Sequence, residues 1–277
     1  MAISTREAKQ KIRTVRSIQQ ICRAMKTVAS IRLRRAEQRL AMTRPYREQI
    51  AGVAQRVAQI TQEHAYLEVR PVERTALVVI TSDRGLAGGY NTSVIRAAMA
   101  AEPPVRVTVI PIGRKAQAQL GRRGYALREG VVPLGGEPDI PAVWRLAGRI
   151  GQMYADREVD QVALVYTHFL GGTRAQVVTE VMLPITSEEG PVEEVIFEPG
   201  PKRLLVGLMD RYLRSQILGA VLEASASEHG ARVAAMTNAA DNAEEMIRDL
   251  TMAYNKARQA SITRELAEIV GASEATA

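Results

Sequence analysis

An unbroken apolar repeat in the C-terminal third of the chain constrains the fold more than any other feature of the sequence. From Leu208 to Ser261 it advances by alternating steps of four and three residues, which is the spacing of a coiled-coil seam. The intermediate members are Tyr212, Ser215, Gly219, Leu222, Ala226, His229, Val233, Met236, Ala240, Ala243, Ile247, Leu250, Tyr254 and Ala257. No proline follows Pro201, so we expect one helix over about residues 203–270, roughly 100 Å long at ~1.5 Å per residue. Because a helix with one apolar seam cannot bury it alone, a partner helix is required.

The N-terminal segment, residues 5–60, carries a second seam and is the natural partner. Its first phase comprises Val15, Ile18, Cys22, Met25 and Ala29, and its second comprises Leu33, Ala36, Leu40 and Thr43. The change of phase is a stutter, which locally unwinds a supercoil. Pro45 is expected to kink or interrupt the helix, and the stripe resumes at Ile50, Val53, Val57 and Ile60. We predict that the two terminal helices pair as a long antiparallel coiled coil.

Between the terminal helices the hydrophobic pattern changes to that of β-strands. Four β-rich runs are predicted as strands, namely Ala76–Thr81, Val105–Ile112, Gln161–Thr167 and Ala175–Leu183. Helical stretches are predicted near residues 92–101, 114–121 and 141–156. This order predicts a small open α/β (Rossmann-like) sheet domain inserted between the paired helices. The predicted domains are an N-terminal coiled-coil helix over residues 1–60, an α/β domain over 70–200 and a C-terminal coiled-coil helix over 203–277.

Charge is distributed unevenly along the 277 residues, whose formal net charge is +7. Residues 1–60 carry 14 lysines and arginines against three acids, which indicates a partner of opposite sign. Nucleic acid, anionic lipid and an acidic protein surface all meet that requirement. The apolar seam and the absence of interleaved aromatic residues favour an acidic protein surface over nucleic acid.

Two compositional features limit the remaining possibilities. No apolar run approaches the ~20 residues that span a bilayer, so we expect no direct insertion into a membrane. The chain has a single cysteine, which excludes a disulfide framework and a cysteine-based zinc cluster. We expect that residue, Cys22, to be a small core residue.

A glycine-rich turn, SDRGLAGGYN at residues 82–91, is the local motif most suggestive of a ligand. It lies between a predicted strand and a predicted helix, where backbone N–H groups can hold phosphate. However, it matches neither GxGxxG nor the P-loop pattern, and glycine also permits tight turns for structural reasons. A nucleotide-binding enzyme therefore stays open as an alternative to a structural turn.

The three histidines, His64, His168 and His229, have neither the spacing of metal ligands nor a nearby carboxylate cluster. His229 falls in the C-terminal seam, where we expect a hydrogen-bonded interface histidine. No Ser/His/Asp or Cys/His arrangement is legible. We therefore predict no catalytic residue, no cofactor and no metal site.

Motifs at the two ends of the chain resemble those of a known family. QICRAMKTVAS at residues 20–30 is similar to the N-terminal signature of the γ subunits of F-type ATP synthases. YNKARQASITRELAEIV at residues 254–270 is similar to their C-terminal signature almost residue for residue. Residues 224–242 and the glycine-rich turn also fit. The resemblance extends from about residue 4 to 271, with gaps mainly in the middle.

This resemblance implies a rotor shaft, the central stalk, without an active site of its own. In that family the paired helices turn inside a ring of three α and three β subunits, and the α/β domain joins the ε subunit and the c ring of the membrane sector. Flow of protons or sodium ions is thereby coupled to ATP synthesis or hydrolysis on the β subunits. The implied location is the cytoplasmic face of the cell membrane, as a peripheral component, with no nucleic acid bound.

The resemblance also implies partner contacts at six positions. Contacts with a β subunit are expected at Met25, Lys26, Arg258 and Gln259. Contacts with the c ring and ε are expected at Phe197 and Glu198. The family often has tyrosine where Phe197 stands, so a hydroxyl hydrogen bond is not expected there.

Overall fold

The secondary structure consists of two very long helices with an α/β segment between them. The computed structural model describes residues 4–60, 64–101, 106–128, 134, 137–186 and 201–275. In chain order the elements are α1 Thr5–Ile60, a short 3-10 helix Ala65–Leu67, β1 Thr75–Ile80, α2 Tyr90–Ala101, β2 Val107–Ile112, α3 Arg114–Gly121, β3 Ala126–Leu127, α4 Ile140–Ala155, β4 Gln161–Gly171, β5 Arg174–Leu183 and α5 Pro201–Ala275.

These elements divide into two compact units. One is formed by Met1–Val28 and Val233–Ala277, and the other by Ala29–Arg232. We call them the coiled-coil unit and the α/β unit, and describe each by itself. The predicted domain limits within the chain stay a prediction.

A five-stranded sheet in the order β3-β2-β1-β4-β5 forms the centre of the α/β unit. Strands β1, β2, β3 and β4 are parallel, and β5 pairs with β4 in the antiparallel sense. Every residue of β1 is buried, as expected for a parallel strand covered on both faces. The predicted open α/β sheet is confirmed, with the predicted strands and helices present within a few residues. Strand β3 is not among the predicted strands, because two residues are too few to show the alternating pattern of a strand.

Helices cover both faces of the sheet. On one face α2 and α3 contribute Val94 and Leu120 to a buried cluster with the strands. On the other face α4 and the local part of α5 contribute Ile150, Leu213 and Ile217 to a larger core. The α/β unit is therefore a three-layer structure in which α5 is part of one layer.

Helix α5 is buried on two sides where it runs through the α/β unit. Every residue from 221 to 230 is buried. Besides the predicted seam it buries a second row, which consists of Leu205, Met209, Leu213, Ile217, Ala220 and Ala224. The seam pattern does not predict this row, because a single 4-3 repeat describes one helix face.

The coiled-coil unit has a narrow seam built from small and flexible side chains. Cys22 packs with Met236 and Ala240, so the prediction of a small core cysteine is confirmed. The side-chain amide of Gln19 donates to the carbonyl of Ala240 at 3.5 Å and to Glu244 at 3.3 Å. Gln19 precedes Cys22 in α1, whereas its partner Glu244 follows Met236 and Ala240 in α5. The two helices therefore run in opposite directions, and the predicted antiparallel pairing is confirmed.

One seam residue in α1 is predicted wrongly. Ile18 is 48% exposed, whereas Gln19 is buried and occupies the seam. Both positions fit between Val15 and Cys22 in a 3-4 repeat. The amide of Gln19 can be buried because its hydrogen bonds to α5 offset the loss of water.

Pro45 does not interrupt α1, contrary to that part of the prediction. The helix is continuous from Thr5 to Ile60 with Pro45 inside it. Leu40 and Ile50 are buried on either side of the proline. Packing of these flanking turns compensates for the backbone hydrogen bond that proline cannot form.

Candidate functional site

A buried carboxylate, Glu223 of α5, joins three elements of the α/β unit. Nη1 of Arg47 in α1 donates to Oε1 of Glu223 at 2.6 Å, and Nδ1 of His168 in β4 contacts Oε2. Nε of Arg47 also donates to the side chain of Gln216 at 2.8 Å. The two long helices and the sheet therefore meet at one charged group.

Two side chains beside this carboxylate, Arg47 and Tyr166, keep their ordinary charge states. Burial by itself lowers the pKa of Arg47, but hydrogen bonding and charge from Tyr166 and Glu223 outweigh it and the pKa is raised. Burial raises the pKa of Tyr166, and the charges of Glu223 and Glu180 raise it further. Tyr166 therefore stays a neutral phenol, and its hydroxyl donates to Glu180 at 3.1 Å.

The carboxyl ends of the parallel strands form the edge where open α/β sheets bind ligands. In this chain α5 lies across that edge. The hydroxyl of Tyr90 donates to the carbonyl of Ala224 at 3.0 Å, and the hydroxyl of Ser227 donates to the carbonyl of Thr167 at 3.1 Å. The chain's own helix thus occupies the space that a nucleotide would need beside β1 and β4.

The glycine-rich turn at the same edge is held by internal hydrogen bonds. Oδ1 of Asn91 accepts from the backbone N and the hydroxyl of Ser82, at 3.0 and 2.9 Å. Arg232 of α5 donates to the carbonyl of Gly85 at 3.3 Å. Gly88 has φ +55°, in the left-handed region that favours glycine. These contacts favour the structural interpretation of the turn over phosphate binding.

Three polar side chains of α5 lie next to this turn, and two of them, Glu228 and His229, are buried. Nη2 of Arg232 donates to Glu228 at 2.5 Å, and Nη1 lies 3.3 Å from Nδ1 of His229. Burial, together with the positive charges of Arg232 and Arg32, lowers the pKa of His229 to about 4. Burial raises the pKa of Glu228, although Arg232 opposes the shift. His229 is therefore neutral near pH 7 and hydrogen-bonded in the seam, as predicted.

The predicted contacts with a β subunit lie in the coiled-coil unit. Lys26, Arg258 and Gln259 are exposed, and Met25 is partly buried against the cluster that contains Met236. Arg258 lies about 33 Å farther along α5 than Met236, at ~1.5 Å per residue. The structure therefore does not bring Met25 and Lys26 close to Arg258 and Gln259. Each pair of residues would make a separate contact with a β subunit.

The predicted contacts with the c ring and ε, Phe197 and Glu198, lie outside the described residues. The partner roles assigned to all six residues stay predictions.

Large apolar side chains off the observed seam are exposed on the coiled-coil unit, and none of them except Ile18 is singled out by the sequence. Each is between 44% and 66% exposed. They are Ile18, Ile21, Val28, Met246, Met252, Ile262, Leu266 and Ile269.

Metal clusters and membrane-spanning helices are absent from the part of the chain that the structure describes. Within those ranges no group of three or more His, Cys, Asp or Glu side chains is placed to hold a metal ion. Likewise, none of the described helices has the length and apolarity to cross a membrane.

Comparison with known proteins agrees with the motifs at both ends of the chain. The family model described as ATP synthase matches residues 4–276. An ATP synthase gamma chain of Heliobacterium modesticaldum is 39% identical over 285 residues, which covers 98% of this chain and 98% of that one. The chain belongs to the ATP synthase gamma family.

Solved structures of other family assemblies have the same architecture. A chain in the central stalk and c-ring structure of the Tetrahymena thermophila mitochondrial ATP synthase is 25% identical, with a TM-score of 0.60, covering 79% of this chain and 99% of that chain. A chain of the Euglena gracilis mitochondrial ATP synthase is 20% identical, with a TM-score of 0.67, covering 98% of this chain and 94% of that chain. The second likeness concerns the fold alone. The family resemblance of the sequence is thereby confirmed.

The carboxylate of Glu223 is the feature of this gamma-family chain that sequence analysis misses. One signal for it is present: Glu223 is an isolated acid in the run LGAVLEASAS, which is otherwise small and apolar. An ionised side chain within such a run requires a partner if the run is buried. The sequence does not identify Arg47 as that partner, because the two residues are 176 positions apart.

Proposed function

We propose that this chain is the rotating shaft of an F-type ATP synthase, which couples ion flow through the membrane sector to ATP synthesis or hydrolysis on the catalytic β subunits. The observation that carries the proposal is the inequality of its two long helices. Helix α1 is strongly basic and its seam changes phase, whereas α5 keeps an uninterrupted repeat. A shaft changes the state of surrounding subunits only if it contacts them unequally, because equal contact in all states shifts no equilibrium. Two unlike helices supply that inequality.

We assign no active site to the chain, and the nucleotide chemistry belongs to the β subunits in this proposal. The position of α5 supports this assignment, because its segment 224–232 covers the sheet edge where an α/β domain would bind a nucleotide. The internal hydrogen bonds of the glycine-rich turn support it as well. The chain is then a non-catalytic subunit of a rotary enzyme.

The proposed partners are three α and three β subunits, the ε subunit and the c ring. Met25, Lys26, Arg258 and Gln259 are assigned to β, and Phe197 and Glu198 to the c ring and ε. The exposure of Lys26 and Arg258 supports contacts with acidic loops. Each exposed ion pair is worth ~0–1 kcal/mol, so these contacts can form and break during every turn. The chain would lie at the cytoplasmic face of the cell membrane, held there by its partners.

Single-molecule rotation tests the proposal directly. Arg122 is exposed in the α/β unit and Cys22 is buried, so Arg122→Cys provides an accessible thiol for a bead. In a complex with α and β subunits, fixed to a surface through β, we expect ATP to drive rotation of the bead in one direction. ATP hydrolysis with a stationary bead would overturn the shaft proposal. The unsubstituted chain, with Cys22 buried, controls for non-specific attachment.

A separate measurement tests the nucleotide-binding alternative. We expect no saturable binding of ATP or NAD to the isolated chain at micromolar concentrations. Saturable micromolar binding that is lost in Gly88→Val would favour an enzyme with its site at the glycine-rich turn. Gly85→Ala is the matched control, because a Cβ at residue 85 has no heavy atom within 4 Å.

A further inference from the structure

A small pocket in the α/β unit is walled by three arginines from one face of α1. Its volume is about 160 Å³. Its lining consists of Arg32, Arg35, Ala36 and Arg39 of α1, Leu222 and Ser225 of α5, and Glu137 and Pro138 of the segment before α4. The arginines stand at i, i+3 and i+7, a spacing that places them along one helix face. All three side chains therefore border the same pocket.

The charges of this pocket are not balanced within the lining. Nη2 of Arg39 forms an ion pair with Glu137 at 2.7 Å. Neither Arg32 nor Arg35 forms an ion pair with any residue that the structure describes. Hydrogen bonding and charge from Arg39, and then the charge of Arg35, hold the pKa of Glu137 below its usual value. Among the described residues, Arg39 therefore has an ion-pair partner in the pocket, whereas Arg32 and Arg35 have none.

Glu228 of α5 interacts electrostatically with Arg32. It is already paired with Arg232 of the same helix at 2.5 Å. Its charge is therefore compensated by a different arginine, and it does not neutralise the pocket. Like charges three or four residues apart on a helix destabilise it by about 0.2–0.5 kcal/mol per pair, so an anion in the pocket would relieve repulsion.

Ser225 adds a hydroxyl group to the same space. The residue as a whole is 4% exposed, and it lines the pocket. Its hydroxyl can donate one hydrogen bond to a ligand there. The apolar side chains of Ala36 and Leu222 line the pocket as well, whereas Arg32 and Arg35 are exposed on α1.

We propose that this pocket binds inorganic phosphate, held by the guanidinium groups of Arg32 and Arg35 and by the hydroxyl of Ser225. A dianion matches the two positive charges that have no ion-pair partner among the described residues. Phosphate also presents several acceptor oxygens, which suit the forked donors of arginine. The volume is below the ~300–1,000 Å³ of sites that enclose larger ligands, so the pocket is too small to enclose a whole nucleotide.

Titration of the full-length chain with sodium phosphate, at constant ionic strength maintained with chloride, tests the proposal. We expect saturable binding that is weakened about tenfold or more in the double variant Arg32→Gln, Arg35→Gln. Ser225→Ala should weaken binding to a smaller extent, because it removes one neutral donor. Arg34→Gln is the matched control, since Arg34 is exposed on the same helix turn and does not line the pocket.

Three outcomes would overturn the phosphate site. The first is no saturable binding by the unsubstituted chain, and the second is an equal loss in Arg34→Gln, which would indicate general attraction to a basic helix. The third is tighter competition by ATP than by phosphate, which would assign the contacts to a nucleotide. Circular dichroism and thermal unfolding of each variant show whether it is folded. Because the experiment uses the chain without partners, its result is independent of the shaft proposal.

Discussion

Nη1 of Arg47 donates to Oε1 of Glu223 at 2.6 Å, and this ion pair connects α1 to α5 inside the α/β unit. The coiled-coil unit contains a corresponding pair, Arg23 with Glu244, at 3.0 Å. The two pairs differ in burial, since the side chain of Glu223 is 3% exposed and that of Glu244 is 52% exposed. Removing one partner of a buried pair leaves a charge without water or a counter-ion. An exposed charge is instead solvated.

Glu223→Ala is therefore expected to destabilise the chain by about 3–5 kcal/mol. The variant leaves Arg47 without its anionic partner and His168 without its contact. Glu244→Ala, which breaks the exposed pair, is expected to cost less than about 1 kcal/mol. Urea unfolding of the full-length variants measures both values.

A third variant separates the loss of charge pairing from the loss of packing. Arg47→Met combined with Glu223→Leu replaces the buried pair by apolar side chains of similar volume, and such replacement is often neutral. We expect it to recover most of the stability lost in Glu223→Ala. Equal destabilisation by Glu223→Ala and Glu244→Ala would contradict the distinction between the two pairs.

Gly230→Ala is expected to destabilise the chain although alanine is the better helix former. A Cβ at residue 230 would lie 2.6 Å from the carbonyl oxygen of Gly172, which is backbone and cannot move aside at low cost. Gly207 is in the same helix, and a Cβ there has no heavy atom within 4 Å. Gly207→Ala should therefore stabilise the chain by up to about 1 kcal/mol. Thermal unfolding should shift in opposite directions for the two variants, and a shift in the same direction would argue against the close approach of α5 to Gly172.

The pairing of the terminal helices could be predicted because a seam is a local, periodic property of the sequence. Whether Ile18 or Gln19 occupies the seam could not be predicted, because both residues satisfy the spacing between Val15 and Cys22. The deciding factor is the carbonyl of Ala240 on the other helix, which accepts a hydrogen bond from Gln19. The apolar periodicity of a sequence identifies the helix face that forms the seam. Polar partners on the other helix decide which of two neighbouring residues lies in that seam.

The Glu223 network and the covered sheet edge could not be predicted for a related reason. Both depend on where α5 lies relative to the sheet, and this placement is set by contacts between residues far apart in the chain. Tyr90 and Ala224 are 134 positions apart, and Ser227 and Thr167 are 60 apart. The turn sequence alone is therefore compatible with phosphate binding or with packing against a helix.

Acidification is expected to destabilise the chain through His229. Its pKa is lowered from 6.5 to about 4 in the folded state, so between these values the unfolded chain binds a proton that the folded chain does not. Above pH 6.5 this difference in proton binding does not lower the free energy of unfolding. As pH falls toward about 4, the free energy of unfolding decreases by about 3 kcal/mol in total. Glu228 acts in the opposite direction, because its raised pKa favours the folded state as pH falls.

His229→Gln isolates the histidine contribution, because glutamine can still accept a hydrogen bond from Arg232 and does not titrate. Urea unfolding at a series of pH values below 7 should show a steeper loss of stability in the unsubstituted chain than in the variant. His168→Gln is the control histidine variant, since His168 is partly exposed beside Glu223. Parallel pH profiles of the unsubstituted chain and His229→Gln would refute the assignment.

Arg258→Ala combined with Gln259→Ala is expected to weaken coupled ATP synthesis several-fold while leaving the chain folded. Both side chains are exposed, and the neighbouring seam residues Ala257 and Ser261 are partly buried, so the substitutions remove no seam contact. Loss of an exposed ionic contact costs up to about 1 kcal/mol, which corresponds to roughly a fivefold change in an equilibrium. ATP synthesis and ATP-driven proton pumping, measured in vesicles reconstituted with the whole complex, report the coupling. Arg248→Ala serves as the control, because Arg248 is an exposed arginine of the same helix that is not assigned to a partner. Unchanged proton pumping in the double variant would contradict the proposed contact. An equal loss of coupling in Arg248→Ala would contradict it as well.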